Sequence, residues 1–360
     1  MNAKAASSVL LDGLSLTRSQ LVAVARGADV RLDDGALRKV ARAAEFLAKQ
    51  ARREEPIYGV STGFGSNADK LLGAHPLRDE LPGATPSGRS LYETLQHNLI
   101  VSHAVCVGEP FAANVVRAML CIRINTLLRG HSGIRVETLQ AMAAMLNAGI
   151  VPVVPQLGSV GASGDLAPLS HLAIVLLGGG EAFFGGKRIT GADALQRAGL
   201  KPVSLSYKEG LALNNGTAQM LATGVLALDK FESLLDTADL AAAMTIDAFA
   251  GRLGAFAEDV HALRPHPGQV LVAARLRELL EGSTLADIPY HLVPRYRNWL
   301  PQSWDTAQSQ QLGFDIGWDW VPISQRHGRQ MFYRRFKPFR GGKKHQPQDS
   351  YSLRCIPQVH

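Results

Sequence analysis

Gly158-Ser159-Val160-Gly161-Ala162-Ser163-Gly164-Asp165 runs straight into Leu166-Ala167-Pro168-Leu169-Ser170-His171-Leu172-Ala173, so a turn of small residues opens an apolar helical pattern. A backbone nitrogen can attack the carbonyl carbon two residues upstream only in a very tight fold, and bulky flanking side chains obstruct the approach. Ala162 and Gly164 offer almost no obstruction, and Gly164 tolerates positive φ at little steric cost. If the Gly164 nitrogen closes onto the Ala162 carbonyl and water is lost from the ring and from Ser163, the serine β-carbon becomes an exocyclic methylidene on a five-membered imidazolone. That group is a strong electrophile made from protein alone. Taken in isolation, the same turn is a helix start capped by Ser163 or Asp165, so the surrounding chain has to decide between the two.

Upstream of the turn, Val151-Pro152-Val153-Val154-Pro155 reads as extended, because proline excludes helix from the residue before it. Before that, apolar periodicity predicts helices over 91–107, 111–128 and 136–147, the last two stopped by Gly130 and Gly149. The first of these carries Gln96, Asn98, Ser102 and His103 among its apolar residues. Tyr58-Gly59-Val60-Ser61-Thr62-Gly63-Phe64-Gly65 has no helical period and starts a loop reaching about Ser90; loops of that length are ordinarily functional or mobile. The first fifty residues read as two helices joined by a polar turn. Thr17-Arg18-Ser19-Gln20 has capping-box spacing, and Leu37, Val40, Ala41, Ala44, Leu47 and Ala48 form a stripe at helical spacing.

Downstream, the pattern over 166–177 is a buried helix whose N-terminal dipole would favour negative charge near the turn. Gly178-Gly179-Gly180 closes it and is not a nucleotide loop, since Glu181, Ala182 and Phe183 follow and no strand precedes it. Residues 184–206 read as a small hairpin and a short helix. Tyr207-Lys208-Glu209-Gly210-Leu211-Ala212-Leu213-Asn214-Asn215-Gly216-Thr217 leads into a long apolar pattern to about Ala250, and a further helix covers 268–280. Asn215, in an apolar setting, needs polar partners, either in a structural network or on a ligand. The expected fold is mainly α: an N-terminal helical and loop region leading into a bundle of long helices, a bundle that subunits could share.

Composition sets the outer bounds. A chain of 360 residues, 46% hydrophobic and 19% charged, can bury a substantial core. No apolar run reaches the roughly 18 residues of a membrane span, and Met1-Asn2-Ala3-Lys4-Ala5-Ala6 lacks the apolar centre of a signal peptide. A cytoplasmic location without membrane partners is the expectation. Cys106, Cys121 and Cys355 form no CxxC pair, so they read as reduced and structural, with no metal site. The net charge of +7 is local: Arg326 to His345 holds eight Arg and Lys and no acid, which leaves −1 for the rest of the chain. That tract belongs to a compositionally distinct segment, 284–345, which contains Trp299, Trp304, Trp318 and Trp320 and reads as an insertion or loop. Its basic and aromatic residues suit a solvated loop or a subunit contact better than nucleic acid.

Five stretches together resemble the aromatic amino acid ammonia-lyase and aminomutase family, which includes the histidine and phenylalanine ammonia-lyases. They are Tyr58 to Gly65, Leu95-Gln96-His97-Asn98-Leu99 with Ser102-His103, Gly158 to Ser170, Lys208 to Thr217, and Gln348 to His360. The resemblance covers residues 10–283 and 346–360, not the segment between. It implies that Ala162-Ser163-Gly164 forms a 4-methylideneimidazol-5-one with no external cofactor. It also implies that Tyr58 is the base removing a β-proton, although a phenol with a pKa of about 10 needs an environment favouring phenolate. By the same matching, Arg354 pairs with the substrate carboxylate, Asn215 hydrogen-bonds near that carboxylate or the prosthetic group, and Gln348 and Tyr351 complete the pocket. Relatives assemble as homotetramers with sites built from several subunits.

The resemblance points to an aromatic L-amino acid as substrate. His103 stands where histidine enzymes carry a substrate-facing histidine, and Ser102 does not supply the histidine of tyrosine-specific relatives; both favour L-histidine. Ser61, where histidine enzymes usually have Asn, and Ser66-Asn67-Ala68-Asp69 lean toward the phenylalanine and aminomutase branches. The expected reaction is ammonia elimination. The alternatives are a 2,3-aminomutase and a non-catalytic assembly subunit using 299–344 as its contact surface. Relatives continue beyond the motif at 346–360 into a C-terminal helical region with an acidic pocket residue, so the chain reads as a fragment or a truncated gene product.

Overall fold

In a computed structural model, residues 8–51, 57–60, 62 and 91–286 are described. They are predominantly helical, as the apolar periodicity predicts, and the chain divides into two compact units, residues 1–230 and 231–360.

The first unit opens with a feature that periodicity missed. Strand β1 (Val9–Leu11) pairs in parallel with β2 (Val30–Leu32), and helix α1 (Arg18–Ala25) makes the crossover between them. The capping box is present: the Thr17 hydroxyl accepts from the Gln20 N–H, and the Gln20 side chain accepts from the Thr17 N–H. Helix α2 (Asp34–Ala51) buries Ala36, Val40 and Ala51 and leaves Ala41 exposed, so its inner face is rotated from the expected stripe.

Helix α3 (Leu91–His103) stops four residues before its expected end, because the chain leaves it to form strand β3 (Val107–Pro110). Helices α4 (Ala113–Leu127) and α5 (Val136–Asn147) follow close to the expected spans. Leu120, Ile124, Leu127, Leu139, Met145 and Leu146 on these two helices are almost wholly buried and form the centre of the core. Arg117 of α4 ties this core to the N-terminal segment, donating to the carbonyls of Val24, Ala28 and Leu146 at 2.9 Å each. The predicted extended stretch becomes β4 (Val151–Pro152) and β5 (Pro155–Leu157); β5 pairs antiparallel with β3, setting Val107 opposite Leu157.

Helix α6 (Leu166–Leu176) is buried along most of its length. The hairpin is β6 (Glu181–Phe184) and β7 (Lys187–Thr190), with β4 added antiparallel to β6, and α7 (Gly191–Arg197) follows with its N-terminus capped by Thr190. The long pattern expected after Thr217 is α9 (Ala218–Ala248), and the stretch leading into it contains a short helix of its own, α8 (Glu209–Asn214), set off from α9 by Asn215-Gly216-Thr217. Helices α3, α6 and α8 pack against one another, and their ends carry or adjoin His103, the 162–164 turn and Asn215.

The second unit has its own small core. Ile246 of α9 joins Phe256 of a 3-10 turn and Val272, Ala273, Leu276 and Leu280 of or just after α11 (Pro267–Leu279). Between them, α10 (Glu258–Ala262) holds His261, buried and hydrogen-bonded to Gln269. Among the described residues, no helix is long and apolar enough to cross a membrane.

Candidate active site

The turn before α6 is strained where the chemistry of the sequence needs it. Ser163 has φ +58° and Gly164 has φ +105°, so two successive residues lie in the left-handed half of conformational space. For Ser163 that costs about 1–3 kcal/mol, which surrounding contacts must offset. Ala162 and Ser163 are exposed. Gly164 is held from behind: a Cβ there would overlap the carbonyl group of Gly216, so glycine is required on both conformational and steric grounds.

Asp165 occupies the N-cap position of α6, yet its side chain makes no capping hydrogen bond. The buried carboxylate instead accepts from the Ser159 hydroxyl at 2.9 Å and from the Met220 N–H at 2.9 Å, while its own N–H donates to the Gly216 carbonyl at 2.7 Å. The ordinary capping explanation for this turn is therefore not the one the structure adopts. Asp165 clamps the turn between Ser159 on its near side and the 216–220 segment on its far side. The curled, glycine-requiring backbone and the exposed serine fit the ring that Ala162-Ser163-Gly164 would form.

Asn215 closes α8, its N–H donating to the Leu211 carbonyl, and it is exposed rather than buried. The buried amide is its neighbour Asn214, which donates to the Ser170 hydroxyl at 3.2 Å and ties α8 to α6. The expectation of an apolar setting thus belongs to Asn214. The Gly164–Gly216 contact sets the residue following Asn215 against the turn.

His103 is half-buried at the end of α3. Its Nδ1 lies 2.9 Å from the Leu99 carbonyl, which can only accept, so Nδ1 carries the proton and Nε2 of the neutral ring is an acceptor. Just beyond it, the Cys106 N–H donates to Nε2 of His171 on α6 at 3.0 Å, and Gly158 packs so closely on Cys106 that a Cβ would overlap its sulfur. Through Cys106 the end of α3 is fixed to the start of the 158–165 turn. Burial pushes the Cys121 thiol up to about 12 and raises that of Cys106, so both are inert packing groups, as expected of them.

Tyr58 sits on a turn with its side chain about half exposed, 49%. That turn is anchored by Gln96 of α3, which is wholly buried: its amide donates to the Gly59 carbonyl at 3.4 Å and its oxygen accepts from the Gly210 N–H at 2.9 Å. Gln96 thus links the Tyr58 turn to the first turn of α8. Gln348, Tyr351 and Arg354 lie outside the described residues.

Two groups beneath the site escaped sequence reading. Glu209, with 0% exposure, accepts from the Arg135 backbone N–H and guanidinium, the Thr138 hydroxyl at 2.7 Å and the Ser206 N–H at 2.7 Å. Arg123 of α4 is a buried cation whose guanidinium donates to the Ala212 carbonyl. For Arg123 the signal was a charge inside an apolar run, Ile122-Arg123-Ile124; Glu209, directly after Lys208, carried none.

A mainly helical scaffold presenting a strained, serine-bearing turn at the start of a buried helix defines a narrow class. A family model described as aromatic amino acid lyase matches residues 16–360, and the chain belongs to that family. It is similar to the histidine ammonia-lyase of Symbiobacterium thermophilum, 50% identical over 278 residues that make up 77% of this chain and 52% of that protein. It is also similar to the histidine ammonia-lyase of Gloeobacter violaceus, 50% identical over 353 residues, 98% of this chain and 56% of that one. Among solved structures, histidine ammonia-lyase from Trypanosoma cruzi superposes with a TM-score of 0.66 at 39% identity, covering 75% of this chain and 50% of the other. The chain spans about half the length of the curated relatives it matches.

Proposed function

We propose that the protein eliminates ammonia from an aromatic L-amino acid, L-histidine giving urocanate being the first candidate. The observation carrying this reading is the 162–164 turn, exposed at Ser163, positive in φ at two successive residues and pressed on Gly216. The half-identity to proteins named histidine ammonia-lyase supports the choice of substrate. A 4-methylideneimidazol-5-one formed from Ala162-Ser163-Gly164, with no external cofactor, supplies an electrophilic carbon that turns the substrate amine into a better leaving group.

The chain's own side chains take the remaining roles. Tyr58, on the turn that Gln96 holds, removes a β-proton of the substrate. Arg354 binds the carboxylate through its planar fork. Asn215 donates or accepts beside the turn, and Gln348 and Tyr351 close the pocket. The Nε2 of His103, left as an acceptor by the Leu99 bond, suits the ring N–H of an imidazole substrate. The N-terminus of α6, directly after the turn, favours negative charge developing there.

Within the second unit, helix α9 exposes Phe231, Leu234, Leu240 and Met244. We assign this apolar surface to contacts with further copies of the chain in a cytoplasmic homotetramer. Incubating the protein with L-histidine and following urocanate by its absorbance tests the reaction. Ser163→Ala should reduce urocanate formation to background. Activity unchanged in that variant, or a β-amino acid as product, would replace the proposal with other chemistry or with an aminomutase.

A further inference from the structure

Arg123 is 5% exposed, and no carboxylate pairs with it among the described residues. Its Nε makes no hydrogen bond there either. Leu120, Met142, Met145, Leu169 and Leu213 surround it, and their burial around the charge pulls the guanidinium down to about 10. A buried cation without a counter-charge is unfavourable where a leucine or methionine would not be. The guanidinium nevertheless sits at one particular place. It donates to the Ala212 carbonyl in α8, and its Nη1 lies where a Cβ on Gly216 would be. On its other side, Gly216 carries the carbonyl that receives the Asp165 N–H and abuts Gly164.

We infer that Arg123 is a positioning residue for ring closure: from inside the core it braces the 212–216 turn against the back of Gly164. The inference rests on the proposed function. In the closure, the Gly164 nitrogen forms a bond to the Ala162 carbonyl carbon and passes its proton to the carbonyl oxygen. That oxygen leaves as water with the Ser163 N–H proton, giving the ring C=N bond. The Ser163 hydroxyl then leaves as a second water with the Cα proton, giving the methylidene; no oxidant is needed. The difficult step is the approach of the nitrogen to the carbon. A support that prevents Gly164 from recoiling raises the fraction of chains in attacking geometry. Arg123, Gly216 and Gly164 form a continuous file of such supports, rigid because each member is a backbone or a planar group.

The test follows intact mass over time in full-length chains made by cell-free synthesis, where closure is read as the loss of two waters. Arg123→Lys keeps the charge and loses the fork, and Arg123→Met keeps the bulk and loses both. Arg117→Lys, on the same helix but bound to carbonyls remote from the turn, is the control. In chains whose circular dichroism is native, both Arg123 variants should close about tenfold or more slowly, and Arg117→Lys at the wild-type rate. Once closed, the Arg123 variants should match the wild type in kcat per ring, which a loosened fold would not give. Closure at the wild-type rate in both Arg123 variants overturns the inference alone, and so does loss of fold in both, which marks Arg123 as structural. A wild-type chain that retains both waters overturns the proposed function and this inference with it.

Discussion

The turn at 158–165 and the cluster around Glu209 lie at opposite ends of α8 and use their residues in opposite ways. In the turn, backbone angles are unfavourable, Ala162 and Ser163 face solvent, and neither has a side chain that could anchor it by packing. Around Glu209 the carboxylate is fully enclosed, and backbone and side-chain donors converge on both of its oxygens. Strain that would unfold an isolated turn is tolerable because the Asp165 hydrogen bonds and the close-packed Gly216 hold the turn in place. The two regions should therefore respond differently to substitution: the turn through chemistry, the cluster through stability.

The largest contrast is expected at Ser163→Ala, where ring formation and ammonia release should fall to background. Thermal stability should shift by no more than about 0.5 kcal/mol, since the side chain is exposed. A large loss of stability would show that Ser163 packs as well as reacts. Gly164→Ala should show both effects together. Its Cβ meets Gly216 and its φ of +105° disfavours any side chain, so the ring should not form and unfolding should become easier by about 1–3 kcal/mol. Glu209→Gln is the mirror image. It turns an acceptor into a donor facing other donors and should cost about 2–4 kcal/mol in denaturant titrations. Chains that still fold should carry a complete ring; a ring-free folded variant would merge the two regions into one.

The smallest effect is a pH dependence at the junction between them. Burial lowers the pKa of His171, and its Nε2 accepts the Cys106 N–H, which a protonated ring cannot do. Because the folded value lies below the unfolded one, the contribution is fully present above about pH 6.5 and is lost as pH falls through the depressed folded value. The melting midpoint should decline between pH 7 and 5, and His171→Gln should flatten that decline. A slope identical in the variant would assign it to another group. Asp12, held down to about 2 by the Ser15 and Leu14 N–H groups and the Ser15 hydroxyl, acts only in stronger acid.

Local signals carried most of the helical architecture. The Thr17 capping box and α5 with its glycine stop depend on neighbours in sequence, and periodicity and turn chemistry read them correctly, while the hairpin expected from 184 onward starts three residues earlier, at Glu181. What depended on distant partners was missed. Strands β1 and β2 are three residues each and exist through pairing across α1, so no alternation of useful length marks them. Helix α3 ends at His103 because β3 is drawn into pairing with β5. The site divides in the same way. The small residues of Ala162-Ser163-Gly164 marked a tight turn and only the stretches around it favoured a ring, while Asp165 looked like a cap and is a clamp. Asn215 and Asn214 are adjacent, and only α8's contact with α6 decides which of them is buried.

The central claim is that the strained turn becomes a ring. Proteolytic release and mass measurement of the peptide containing Gly158 to Asp165, from wild-type protein and from Ser163→Ala, tests it directly. The account predicts a wild-type peptide lighter than its sequence by two waters and a variant peptide at its full sequence mass. A wild-type peptide at full mass would contradict it.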